Sequence, residues 1–286
     1  METSKMETAL APPPSAAEAQ ARGYDAAFLG PPVPPPQLTT AGRKNAVGGS
    51  THTEVVRHTH YSLVVHAGRR LAVWVARNTD GGQMRRLSRS GVPFVPDPAV
   101  DLRYQTADPL YAGNRLDRGH LARRADLCWG PDAEARRSNR ESFYFTNVTP
   151  QMENFNQSAQ GGLWGRPEDA VFEPVTVENL RVSAFGGPVF RPDDRMYRGG
   201  QIPLDFYKCW LTGRAAAGPG LFAHANPHRP GGPRPGGVPR VPSHARRGGS
   251  PLRISVPRRA QGRRRLRGAP GGPSGQRRAP VPPGPG

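Results

Sequence analysis

At 286 residues the chain is long enough for one or two domains, but 35 Gly and 34 Pro exclude regular structure throughout, so one domain with tails is the expectation. The formal charge of +18 is no general argument for nucleic acid, because residues 213–286 hold 15 Arg and no Lys, Asp or Glu, leaving +3 for the first 212 residues. Cys128 and Cys209 are too few for a disulfide framework and lack any zinc-type spacing, so they read as two free thiols, with a single bridge as the alternative.

Residues 1–22 are rich in Ala, Pro and Glu and read as a disordered segment. No basic n-region precedes an apolar core, and no apolar run approaches the roughly 18 residues of a membrane span, so neither a signal peptide nor a membrane partner is expected. The default location is cytoplasmic, with export by another route open. From Gly23 to Leu38, Tyr24, Phe28 and Leu29 precede a proline run, which reads as an extended arm anchored by apolar side chains or as a sticky linker.

Thr59 to Val65 and Arg70 to Ala76 are rich in Val, Leu and aromatic residues, and Ala67 and Gly68 between them suit a tight turn, so a β-hairpin is expected. Met84 to Ala107 lacks periodicity and reads as a surface crossing that carries Arg85, Arg86 and Arg89. A short helix is expected over Ala133 to Asn139, with Asp132 as N-cap. Ser142 to Gln151 reads as a buried strand leading into a polar turn. A helix from Asn156 should stop before Pro174, since proline costs about 3 kcal/mol in a helix interior. Leu180 to Phe185 and Val189 to Phe190 read as a strand pair around Gly186, Gly187 and Pro188, and Phe206 to Leu211 as a last strand. Beyond Thr212 the apolar pattern stops and 213–286 reads as a disordered Arg/Gly/Pro-rich tail. Acidic residues vanish where periodicity does, which points to a changed reading frame in a G and C-rich gene, with a genuine basic tail as the alternative.

The chemistry concentrates between Leu116 and Gln157. His120 offers a general base, Arg118 a forked cation for phosphate, Gly119 a close backbone turn, Asp117 a means of orienting an arginine or the loop, and Asn156 a neutral oxygen for a hard metal. The other histidines singled out, His52, His58, His66, His224, His228 and His244, read as structural or simply exposed. DRGHLARRAD, then FYFTNVTPQ, then FNQ with Trp164 and Glu168, then GGPVF, resemble the DNA/RNA non-specific endonucleases, the ββα-metal (His-Me finger) enzymes, over nearly all of the chain that can fold.

That resemblance implies an α+β fold with an antiparallel sheet core and a ββα-metal site over residues 23–212, truncated at its C-terminal end. It implies a Mg²⁺-dependent nuclease acting on DNA and RNA, with Mn²⁺ as substitute. His120 is then the base, Asn156 the direct metal ligand, Glu168 an acidic residue acting through metal-bound water, and Arg118 and Arg89 phosphate contacts, Arg86 being the rival of Arg89. Three departures stand out. Asn156 and Glu168 are twelve residues apart where typical members have eight, so one helix face holds both only if the helix survives Gly161, Gly162 and Pro167. Leu127 stands where the family usually has Asn, and the family's further strands and helices do not follow Phe206. The alternative is an inactive truncated homologue that binds nucleic acid through phosphate contacts and the basic tail.

Overall fold

The computed structural model describes residues 22–47, 54–212, 220–225 and 252–253. In chain order the elements are β1 (Gln37–Leu38), α1 (Thr40–Lys44), β2 (Ala46–Val47), β3 (Val56–His58), β4 (Tyr61–His66), β5 (Leu71–Asp80) and β6 (Leu116–His120). There follow α2 (Arg124–Leu127), α3 (Asp132–Glu141), β7 (Val148–Met152), α4 (Glu153–Asn156), α5 (Gly165–Val177) and β8 (Arg181–Val189). The last are β9 (Arg195–Tyr197), β10 (Gly200–Ile202), β11 (Asp205–Thr212), β12 (Gly220–Ala225) and β13 (Leu252–Arg253). The fold is α+β. An antiparallel sheet runs β12-β11-β8-β5-β4-β2, with β3 also on β4, and β6 and β7 form a separate pair.

Both sheet faces are buried, and the two-residue period of a strand decides which side chain goes where. Leu63, Val65, Val75 and Phe206 face one core together with Leu121, Leu127, Phe155 and Trp164. Their neighbours Val64, Trp74, Ala76, Phe185 and Tyr207 face the other, which is closed by Val33, Leu38, Tyr24 and Leu29. The expected arm is therefore a lid on the second face. Tyr24 meets Phe185 edge to face at 5.4 Å, and its backbone N–H donates to Ser62 Oγ at 2.8 Å.

The hairpin of β4 and β5 forms as expected, and the two cysteines are free and buried. Several boundaries differ. Pro131, not Asp132, is the N-cap of α3, and Asp132 instead pairs with Arg136 one turn on, at 2.7 Å. The strand expected over Ser142 to Gln151 is confined to Val148–Met152. The Asn147 amide supplies what a ladder would: Oδ1 accepts from the Ala122 N–H, and Nδ2 donates to the carbonyls of Ala122 and Ser142. Helix α5 runs through Pro174, because Val175 packs with Val182, Ala184 and Trp210 and that burial outweighs one lost hydrogen bond.

β8 is one strand through Gly186, Gly187 and Pro188, where two were expected. A Cβ at Gly187 would lie 2.5 Å from the Val73 carbonyl, so glycine is what lets β8 approach β5. Met84 to Ala107 crosses more than surface: Asp97 is buried, accepts from Thr146 and meets His58 Nε2 at 2.8 Å. Beyond Thr212, Gly220–Ala225 pairs antiparallel with β11, and Leu252–Arg253 with β1. The expectation that pattern ends at Thr212 is thus corrected for these two stretches; a short alternating run, GLFAHA, is enough to extend an edge. The expectation of disordered ends otherwise falls outside the described residues. Among the described residues no helix is long and apolar enough to cross a membrane.

Candidate functional site

The β6–β7 pair followed directly by α4 makes a ββα unit over the first core. In its register Asp117 faces Gln151, Gly119 faces Thr149 and His120 faces Val148. Gly119 is not in a turn, as expected, but in mid-strand. The buried Gln151 side chain lies across it, and a Cβ there would sit 2.0 Å from Gln151 Oε1.

One cavity of about 600 Å³ is lined by all five residues expected at the site: Arg89, Arg118, His120, Asn156 and Glu168. Arg86, the rival of Arg89, is not among its lining residues. The His120 ring packs between Phe94 at 5.6 Å and Phe143 at 5.3 Å, the latter edge to face. Its Nε2 is buried and, among the described residues, has no hydrogen-bond partner. Burial pushes its pKa down to about 3, and the positive charges of Arg89, Arg124 and Lys208 add to this. The imidazole is therefore neutral at pH 7.

Asn156 donates from Nδ2 to Asp117 Oδ2 at 2.9 Å, and Gln157 donates to the same oxygen at 2.9 Å. Asp117 thus orients Asn156 rather than an arginine, and it leaves the Asn156 amide oxygen without a protein partner among the described residues. Arg118 directs Nε and Nη2 at Asp108 Oδ1, at 3.0 and 2.5 Å, and lies over the rings of Phe94 and Tyr111. Its fork is held at the rim by an exposed carboxylate.

The helix after Asn156 does not survive to Glu168, yet both residues reach the cavity. The chain folds back through a 3-10 turn over Ser158–Gln160 and left-handed Gly161. It closes so tightly that a Cβ at Gly162 would lie 2.5 Å from the Phe155 carbonyl, and one at Gly165 2.6 Å from that of Asn156. The Trp164 N–H donates to the Phe155 carbonyl at 3.0 Å, which sets the start of α5. The twelve-residue spacing is met by a turn, not by an extra helical repeat. Glu168 is buried and ion-paired with Lys208.

Two residues of the site were not anticipated. Arg123 lines the cavity, donates to Asp169 Oδ1 at 2.6 Å, lies 5.0 Å over the Phe172 ring and keeps Nη1 unpartnered among the described residues. Lys208 lies beneath it on β11. The signal for Arg123 was present in the basic pair following HLA; that for Lys208 was a lone cation inside an apolar strand. Leu127, at the position of the usual Asn, is core, and its carbonyl meets His60 Nδ1 at 2.9 Å.

A family model described as DNA/RNA non-specific endonuclease matches residues 39–230. The chain belongs to that family. The match continues past Thr212 through β12, so the family-like part of the chain does not end where the apolar pattern first weakens. The chain is 35% identical over 198 residues to the uncharacterized protein y4fB of Sinorhizobium fredii, covering 65% of this chain and 29% of that protein. It is 26% identical over 183 residues to mitochondrial endonuclease G of Bos taurus, covering 59% and 58%. With a nuclease of Serratia marcescens it shares 30% over 173 residues, covering 56% and 59%. The chain therefore spans less than three-fifths of the length of each of these relatives. A solved structure of the EndoG/EndoGI complex aligns with a TM-score of 0.49 and 21% identity, over 60% of this chain and 74% of that one.

The donor set fits a hard divalent cation with few protein ligands. The free Asn156 oxygen stands in a cavity wall that also holds Asp117, Glu168 and Asp169, each already meeting a protein N–H. Among the described residues no group of three or more His, Cys, Asp or Glu is placed to hold a metal. An ion bound here would keep most of its waters, as Mg²⁺ does readily.

Proposed function

We propose that this chain is a metal-dependent endonuclease that hydrolyses phosphodiester bonds of DNA and RNA without reading sequence. The observation that carries this reading is the meeting of the His120 imidazole, the Asn156 amide oxygen, which has no protein partner among the described residues, and three guanidinium groups in one cavity of about 600 Å³. His120 accepts a proton from water on its imidazole ring. Burial and the arginine field hold the free imidazole neutral, and the negative charge of an arriving phosphate opposes both effects, so basicity rises with substrate in place.

Arg89, Arg118 and Arg123 hold the phosphate and offset the charge that builds on it. Mg²⁺, or Mn²⁺ in its stead, held by Asn156 with Glu168 in its outer shell, would supply further charge neutralisation and help for the leaving oxygen. Contacts to phosphate and sugar alone leave the bases unread. We assign the activity to a domain from the arm at Gly23 through β12.

The test is cleavage of supercoiled plasmid and of a structured RNA by the purified protein in Mg²⁺ and in excess EDTA. Both substrates should be cut with the metal and neither without it. Undiminished cutting in EDTA removes the proposed site, and binding without cleavage favours the inactive homologue.

A further inference from the structure

Beneath the cavity lies an ion pair that packing does not require. Lys208 is 1% exposed, and its ammonium meets Glu168 Oε1 from across the first core. That ammonium also lies 3.7 Å from the centroid of the Trp164 ring, whose Nε1 donates to the His120 carbonyl at 3.1 Å. Gly186 on the neighbouring strand gives the lysine stem its lane, since a Cβ there would come 3.3 Å from Lys208 Cε. Replacing a buried ion pair by apolar groups of similar volume is often neutral or stabilising. Its presence here therefore asks for a reason beyond stability.

We infer that Lys208 is a positioning residue that acts through Glu168, a conclusion resting on the nuclease reading of the same site. By tying Oε1, the ammonium fixes one rotamer of Glu168 in the cavity wall. Oε2 then has no hydrogen-bond partner among the described residues and is the oxygen free to serve the site. The Trp164 ring, braced on the His120 backbone, sets where the ammonium sits, so the carboxylate and the imidazole are held to one frame.

The experiment is a double-mutant cycle of Lys208→Met and Glu168→Gln, read by melting temperature and by kcat and KM on supercoiled plasmid in Mg²⁺. Each single change leaves one buried charge unpaired and should lower the melting temperature; the double change should recover it. Lys208→Met should lower kcat by about 10- to 100-fold, as loss of an outer partner of a metal-site ligand does, with KM little changed. The double variant should match Glu168→Gln alone in kcat, because Lys208 has no route except through that carboxylate. Lys208→Arg should restore part of the loss.

If the double variant regained wild-type kcat together with its melting temperature, the pair would be structural and the proposal overturned. Single losses that multiply in the double variant would also overturn it, since Lys208 would then act by another route. Should Lys208→Met fail to fold, comparing the double variant with Glu168→Gln decides the matter. Absence of metal-dependent cleavage by the wild-type protein defeats the nuclease reading, and this proposal with it.

Discussion

The two faces of the central sheet are built from one set of strands but carry different chemistry. On the arm face, Trp74, Ala76, Phe185, Tyr207 and Cys209 pack in one apolar cluster with residues of the N-terminal arm, and Ser62 and Asn78, which bond to the arm backbone there, are uncharged. On the site face the same strands interleave Arg77 and Lys208 with Val75 and Phe206, and each cation meets a carboxylate from an overlying helix, Asp126 on α2 and Glu168 on α5. Arg77, Asp126, Glu168 and Lys208 are all buried. Apolar burial returns about 25 cal/mol per Å², whereas buried charges return little beyond their desolvation cost. Both faces therefore contribute apolar burial, and the site face in addition keeps charged groups in fixed places.

Substitutions that strike one face alone test this division. His120→Ala should lower cleavage by about 10² to 10⁴, the usual worth of a general base, with the urea midpoint nearly unchanged. A variant cutting within about threefold of the parent would move the base elsewhere. Phe185→Ala, on the opposite face, should cost about 3–5 kcal/mol in urea unfolding while leaving cleavage per folded molecule intact. If activity fell in proportion, the two faces would not be separable. Asn156→Ala removes the neutral amide oxygen proposed to hold the metal and should raise the Mg²⁺ concentration for half-maximal cleavage by at least about tenfold, with Glu168→Gln weaker in the same direction. An unchanged Mg²⁺ requirement would take Asn156 out of the metal shell.

The same division explains what the sequence made legible. Aromatic and β-branched runs announced β4, β5 and β11, because a strand buried on both faces is apolar at most positions. The DRGH and FNQ blocks pointed to the site only together with FYFTNVTPQ and GGPVF, through the family that all four resemble in order. What escaped notice depended on partners far along the chain. Gly186 and Gly187 look like a break until β5 lies against them, and Lys208 looks misplaced in an apolar strand until Glu168 is set above it. Phe143–Asn147 has strand composition, but the Asn147 amide satisfies the backbone locally and ends the ladder. Gly161 and Gly162 argued against bringing Asn156 and Glu168 together, yet a tight left-handed turn does it better than a continuous helix, and nothing local distinguishes the two.

The smallest expected effect sharpens the comparison through pH. Burial pushes the His120 pKa to about 3 in the folded protein, while in the unfolded chain an ordinary histidine titrates near 6.5. As pH falls through 6.5 the unfolded state takes up a proton that the folded state refuses, so stability declines with falling pH and levels off only below about 3. The loss from His120 between pH 6.5 and 5.5 is about 1 kcal/mol at most, because the unfolded imidazole takes up its proton only gradually across this range. His60 and His66 are also held below their ordinary value by burial and contribute in the same direction. Comparing parent with His120→Ala separates them: urea midpoints across this range should fall less steeply in the variant, and the difference is the share owed to the site. Parallel curves would mean that the folded imidazole protonates as freely as in water. The burial and positive charge around His120 would then not be what holds its imidazole neutral.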